Sequence, residues 1–422
     1  MLQSLIAAFR LPDLRKRILF VFGMFAVYVV GLHIPVPGVD RAAMERLFTQ
    51  GGLLGLLDVF SGGALKRYTI FAMGIAPYIN ASIIMQLLSI AVPSLEALSK
   101  EGEHGRKKIS QYTRYLTVGL AALQAVGMNA MFQRSGILEA TPFVFFQIVI
   151  TLAAGTAFLM WVGEQITDRG IGNGVSMVIF AGIVASLPFQ ISQTWDLVSK
   201  RAIGIPSVIA FLTLFIGTVV GIVAIQQAQR KIPIQHVKRV VGNKVYGGST
   251  SFLPLRVNSA GVIPIIFAVS IQLFPMTLAQ FFPNVRGLQA FSNWLQPGNN
   301  IWASLIYALV IVFFTYFYTA VTFNVTDVSE NLKKYGSFIP GIRPGKPTLD
   351  YLDRVMTRIT LAGAIFLALI ALMQYWAPQL TGVHTFYLIG GTSLLIVVGV
   401  ALETMQAIEA HLLMRNYEGF IK

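Results

Sequence analysis

The sequence predicts an all-α polytopic membrane protein with ten transmembrane helices, and three observations predict it. The 422 residues are 55% hydrophobic and only 12% charged, about half the charged share of a soluble domain, and the mean hydropathy is +0.68. Ten stretches contain no Lys, Arg, Asp or Glu: 18–34, 68–92, 115–132, 143–163, 175–195, 205–225, 259–281, 301–323, 359–377 and 386–402. Each matches the roughly 17 to 25 residues a helix needs to cross the hydrocarbon. Summed over alternate connections and the two tails, 24 Lys/Arg fall on one side and eight on the other.

That asymmetry orients the chain. The amino-terminal tail holds Arg10, Arg15, Lys16 and Arg17. No small-residue cleavage site follows the first apolar run, so 18–34 reads as a retained first span rather than a signal peptide. The connections after spans two, four, six and eight hold five, one, six and six Lys/Arg, and the carboxy-terminal tail holds two. The remaining connections hold four, one, two, one and none. Positive-inside counting therefore places both termini in the cytoplasm. Spans one to five fall within 1–190 and spans six to ten within 191–422. An odd number of spans per half would invert one half relative to the other, as in many transporters, although any ten-span chain divides this way.

The external connection after span one contains an apolar run at 53–60, too short to cross, with glycine pairs at Gly51–Gly52 and Gly62–Gly63. It reads as a short helix, either mobile about its glycines or fixed as a re-entrant or interfacial segment. In span two Ile79 and Ile83 lie one turn apart, as do Ile179 and Ile183 in span five. Each pair shares a helical face. Such a face is either core, lipid contact or an apolar constriction. Polar residues within spans are mild and concentrate in spans two (Asn80, Ser82, Gln86) and seven (Ser270, Gln272), with Asn258 and Ser259 at the start of span seven. Ordinary interhelical hydrogen bonding explains most such residues. Their placement also favours a contact between these two helices.

The cytoplasmic connection 226–258 holds six basic residues and no acidic one, and "HVKRVVGNKVYGGSTSFLPL" within it reads as a hairpin, with β-branched runs separated by Gly-Asn and Gly-Gly. The connection 324–358 carries six basic and four acidic residues around "KYGSFIPGIRPGKPT", a stiff tip with Arg343 near its centre. These are either solvated positive-inside loops or a docking surface for an acidic or RNA-rich partner; ordered connections of this length are uncommon without a function.

Catalytic chemistry has nowhere to sit. Cysteine is absent, which removes disulfides, thiolate metal sites and a thiol nucleophile. His33, His104, His236, His384 and His411 are scattered without ligand-pair spacing, so no metal site is expected. "EGEHG" at 101–105 is not the two-histidine zinc motif. "GIGNG" at 170–174 follows a transmembrane helix instead of a strand and reads as a tight turn, with Asn173 and Gly174 tolerating positive φ. There is no Walker lysine motif, and no span carries an ionisable group of the kind ion-coupled transporters keep. No cofactor is expected.

Five stretches carry a resemblance: "GIAPYINASIIMQLL" at 74–88, "DRGIGNGVSMVIFAGIV" at 168–184, "LPLRVNSAGVIPIIFA" at 253–268, "FIPGIRPGKPT" at 338–348 and "GGTSLLIVVGV" at 390–400. With the ten spans and two projecting cytoplasmic loops, they make the chain similar to the bacterial SecY family, the central channel subunits of the Sec protein translocase. The resemblance implies two inverted five-helix halves around a central pore, in the bacterial inner (plasma) membrane. It implies a constriction ring of Ile79, Ile83, Ile179, Ile183, Ile266 and Ile396. It implies a plug closing the channel from outside, made of Leu56, Leu57, Asp58, Val59, Phe60, Ser61, Gly62, Gly63, Ala64, Leu65, Lys66 and Arg67. A lateral gate would open between spans two and three and spans seven and eight, with Gln86 and Asn258 as its polar contacts. Loops 226–258 and 324–358 would dock the ribosome or the motor ATPase SecA through Arg239 and Arg343. Small membrane subunits SecE and SecG would accompany the chain. Unfolded polypeptides and signal sequences would be its cargo, and apolar segments would pass sideways into lipid. The competing reading is a secondary transporter built from inverted repeats.

Overall fold

The computed structural model describes residues 8–39, 44, 58, 61–138, 140–236, 239–241, 244–246, 250–281, 285–298, 300–383 and 391–418. Each charge-free stretch overlaps a helix: Pro12–Gly31, Ala76–Ala91, Glu103–Arg134, Pro142–Arg169, Gly174–Ser199, Ile205–Gln227, Ile263–Phe281, Ile301–Thr322, Lys346–Thr381 and Gly391–Glu418. We refer to them as spans one to ten. Among the described residues seven helices are long and apolar enough to cross a membrane, and span two adds an eighth when taken with Pro93–Lys100, to which it is bent by 100°. Span one falls short because its first turns carry Asp13, Arg15, Lys16 and Arg17. Span seven, Ile263–Phe281, is a continuous helix of 19 residues without a charged side chain.

The helix starts follow local chemistry. Thr141, Asn173, Asn300 and Asn324 each accept a backbone N–H of the first turn, satisfying donors the helix cannot. The turn before span five corrects the expectation for "GIGNG". The left-handed residue is Gly172, with φ of 79°. Asn173 is extended and caps the helix through Ser176 N–H at 3.2 Å. Gly174 is small for another reason: a methyl there would collide with the Gly163 carbonyl oxygen of span four. Gly174→Ala should therefore push spans four and five apart and lower the thermal midpoint in detergent, by an overpacking cost of about 1–3 kcal/mol.

A central apolar cluster draws on spans one, four, five, six, seven, eight, nine and ten. A second cluster holds Leu65, Tyr68, Phe132, Leu138 and Leu152. The connections after spans six and eight together form a small sheet. Strand β1 (Gln229–His236) pairs antiparallel with β4 (Thr250–Arg256), and a tip hairpin joins β2 (Arg239–Val241) to β3 (Lys244–Tyr246). The expected hairpin is therefore present and longer than its sequence signal. The other edge of β1 pairs with β5 (Ser337–Phe338) from the second large connection, giving the order β4-β1-β5. Ile232 and Leu255 of the first loop share one buried core with Ile339, Leu352 and Met356 of the second.

Candidate functional site

Five of the six isoleucines meet in the central cluster. Ile179, Ile183 and Ile396 are buried within it, and Ile79 and Ile266 pack against it. Ile83 is also buried, but in an adjoining cluster with Phe267 of span seven and Phe314 of span eight, which Ile79 joins as well. Spans two, five, seven and ten thus bring branched alkyl side chains together at the centre of the bundle. Such a cluster offers a hydrated ion no polar partner.

Beneath it lies the connection from span one. Of the residues expected to form a plug, Leu56, Leu57, Val59 and Phe60 lie outside the described residues, as do Gly51 and Gly52 and, Asp58 excepted, the helix expected over 53–60. Residues 61–67 are consecutive turns rather than helix, because Gly62 and Gly63 take φ of 71° and 83°. A web of short bonds closes these turns on Asp58: Ser61 Oγ donates to the Asp58 carbonyl at 3.0 Å, Leu65 N–H to Ser61 Oγ at 3.2 Å, and Lys66 N–H to Asp58 Oδ1 at 2.7 Å. Burial raises the Asp58 carboxyl to about 6, opposed by the Lys66 N–H and the Lys66 charge.

The segment is seated between spans one and five. Tyr28 Oη donates to the Ser61 carbonyl at 3.1 Å. A Cβ on Gly62 would lie 3.0 Å from both Cα and O of Gly182, and Gly182 falls between Ile179 and Ile183. Ala64 is fully buried in the central cluster. Lys66 Nζ sits 4.5 Å from the centre of the Phe189 ring, and Arg67 Nη1 lies 3.0 Å from His33 Nε2. Tyr28 and Gly182 escaped sequence reasoning, since one tyrosine and one glycine in apolar helices carry no pattern.

The seam between spans two and seven is apolar: Ile79 and Ile83 face Ile263, Phe267 and Phe314, with the Phe267 and Phe314 rings 5.3 Å apart. The expected polar contact of Gln86 with Asn258 is not formed. Gln86 is exposed, while Asn258 Nδ2 donates to the Gly261 carbonyl at 3.0 Å and its Oδ1 is buried without a partner. An asparagine in the turn before a helix finds a backbone carbonyl three residues on more readily than a side chain on another helix. Gln272 turns toward Tyr375 of span nine, not toward span two.

In the connection after span eight, Arg343 is exposed. Its backbone is held, however. Thr348 Oγ1 donates to the Arg343 carbonyl at 2.8 Å, Ser329 Oγ donates to the Gly345 carbonyl at 3.1 Å, and Ile339 and Ile342 anchor in the shared core. Arg239 opens β2 opposite Tyr246; its side chain lies outside the described residues. Among the described residues no group of three or more His, Asp or Glu side chains could hold a metal ion.

The sequence model of the SecY family matches residues 69–405. Two curated relatives are each named protein translocase subunit SecY. One, from Streptomyces scabiei, is 44% identical and aligned over 100% of both chains. The other, from Pseudomonas aeruginosa, is 46% identical over 98% of this chain and 94% of the relative. Solved structures share the fold. One described as the structure of a protein conducting channel has a TM-score of 0.68 at 18% identity, covering 94% of this chain and 92% of that one. One described as Sec61 in the canine ribosome-channel complex has a TM-score of 0.65 at 17% identity, with the same coverage.

Proposed function

Since the chain belongs to the SecY family, it is a channel subunit of a protein translocase and makes or breaks no covalent bond, and we propose that the six isoleucines form its narrowest ring. The observation that carries this reading is the apolar cluster built from spans two, five, seven and ten, with Gly62 seated against Gly182 beside it. Residues 56–67 act as the plug. An unfolded chain enters from the cytoplasm, displaces the plug and crosses the ring, whose alkyl groups offer no fixed hydrogen-bonding partner to cargo. Segments of about 20 apolar residues leave sideways, because lipid solvates them better than water. Their exit is the seam of Ile79, Ile83, Phe267 and Phe314, which separates without breaking a hydrogen bond; Gln86 and Asn258 border it. The two halves, 1–190 and 191–422, are inverted relatives and part along that seam.

We place the protein in a bacterial inner membrane with both termini cytoplasmic, accompanied by SecE and SecG. The cytoplasmic sheet and the Arg239 and Arg343 tips receive the ribosome or SecA. Reconstitution tests the whole reading: an unfolded secretory substrate should enter vesicles only when ribosome or SecA with ATP is supplied. Entry without either would refute it. For Arg343 the geometry makes a sharper forecast. A guanidinium on a held backbone pairs bidentately with carboxylate or phosphate, which an ammonium does not. Arg343→Lys and Arg343→Glu should both insert with correct topology and both lose most partner-driven transport. Parent-like transport by Arg343→Lys alone would reduce the site to diffuse charge.

A further inference from the structure

We propose that His236 is a positioning residue that locks the two cytoplasmic loops together, so that their arginine tips are presented as one array of fixed spacing. This rests on the reading of those tips as the docking surface. The His236 ring lies between two serines from different strands: Nδ1 is 2.8 Å from Ser337 Oγ and Nε2 is 2.9 Å from Ser251 Oγ. Ser337 belongs to the second loop, 101 residues further along the chain, and pairs directly with His236 across β1 and β5. Ser251 lies on β4, opposite Ile234. With side chains alternating across a strand, Ile232, Ile234 and His236 share the face of β1 that covers the buried core of the two loops. His236 is thus the polar end of that face.

Its place along the chain gives it leverage. β5 has two residues, and Gln235–Phe338 and His236–Ser337 are its whole register with β1. Three residues beyond His236 stands Arg239, and six beyond Ser337 stands Arg343. The apolar core joins the loops lower down, through Ile232, Leu255 and Ile339. Among the described side chains of β1, the imidazole is the one nearest the Arg239 tip that bonds to the second loop. A two-residue strand pairing alone is weak, and each side-chain hydrogen bond adds only modestly, so removing the ring should release the tips while leaving the core intact.

The absence of cysteine makes the test clean. Purified channel in lipid discs carries His236→Ala, alone or with a Gln235→Cys/Phe338→Cys pair that restores the joint on oxidation. Affinity is measured for vacant bacterial ribosomes and for SecA, and the inference is judged on whichever partner Arg343→Ala weakens. His236→Ala should weaken that partner on the order of tenfold with an unchanged thermal midpoint. Oxidising the cysteine pair in the His236→Ala background should recover parent affinity, and reduction should lose it again. Spin labels at Lys244→Cys and Lys346→Cys should show a broader distance distribution in His236→Ala. Parent-like affinity of His236→Ala, or no recovery on oxidation, overturns the proposal. If instead Arg343→Ala binds both partners normally, the docking reading itself fails.

Discussion

Replacing Ile83 and Ile183 together by glycine is expected to raise the idle ion conductance on the order of tenfold and to relax the demand for a strong signal sequence. The two positions should contribute differently. Ile183 is fully buried in the central cluster, in the same helix as Gly182, against which Gly62 is seated. Its loss removes branched alkyl bulk at the constriction and leaves water a path. Ile83 packs on Phe267 and Phe314, so its loss mainly loosens the exit seam. Ile183→Gly alone should therefore leak strongly, whereas Ile83→Gly alone should leak less but crosslink more readily to signal sequences. Each change also costs stability through lost packing and a helical glycine, about 3–5 kcal/mol. Leucine at either site keeps bulk and apolarity at a cost below about 1.5 kcal/mol, and should stay tight. Planar-bilayer conductance at matched protein level decides: parent-like values for the double glycine variant would remove these residues from the seal.

The sequence made the spans legible because hydrocarbon tolerates no unpaired charge for the length of a helix; every charge-free stretch became one. It also made the paired isoleucines legible, since a one-turn spacing fixes a common face. Which neighbour that face meets was not legible. Helix rotation and crossing decide it, and they sent Ile83 toward Phe267 and Phe314 while Ile183 turned to the centre. The Gln86–Asn258 expectation failed for a local reason, the nearer Gly261 carbonyl. The union of the two large connections was invisible for a different one. A two-residue strand such as β5 has no period to detect, and its partner lies 101 residues away. In "GIGNG" composition announced the turn, but helix packing against Gly163, not left-handed backbone, fixed the last glycine.

The plug should seat more tightly as the external solution is acidified, and Asp58 should be the cause. Burial in the seated segment raises its carboxyl to about 6. Once the plug leaves and water reaches Asp58, the group returns toward its ordinary value of about 3.9. A carboxyl that holds its proton better when seated favours seating once protonated, so the added stability grows as pH falls from about 6 toward about 4 and vanishes as pH rises through about 6. Idle conductance should accordingly be lower at pH 5 than at pH 8. The charged groups around it are Lys66 and Arg67, which favour the ionised form, and His33, whose ring faces Arg67. Because His33 contacts Arg67 at the end of the segment, the measurement is made in a His33→Gln background, where Asp58 is tested without that contact. There Asp58→Asn keeps an oxygen for the Lys66 N–H and carries no charge; it should be tight and flat across this range. Asp58→Ala removes that acceptor while the Ser61 bond to the Asp58 backbone carbonyl remains; loss of the Lys66 tether should make it leak at both pH values. Leak that rises on acidification in the His33→Gln channel, or an Asp58→Asn channel that keeps the pH dependence, would show that this carboxyl does not govern the plug.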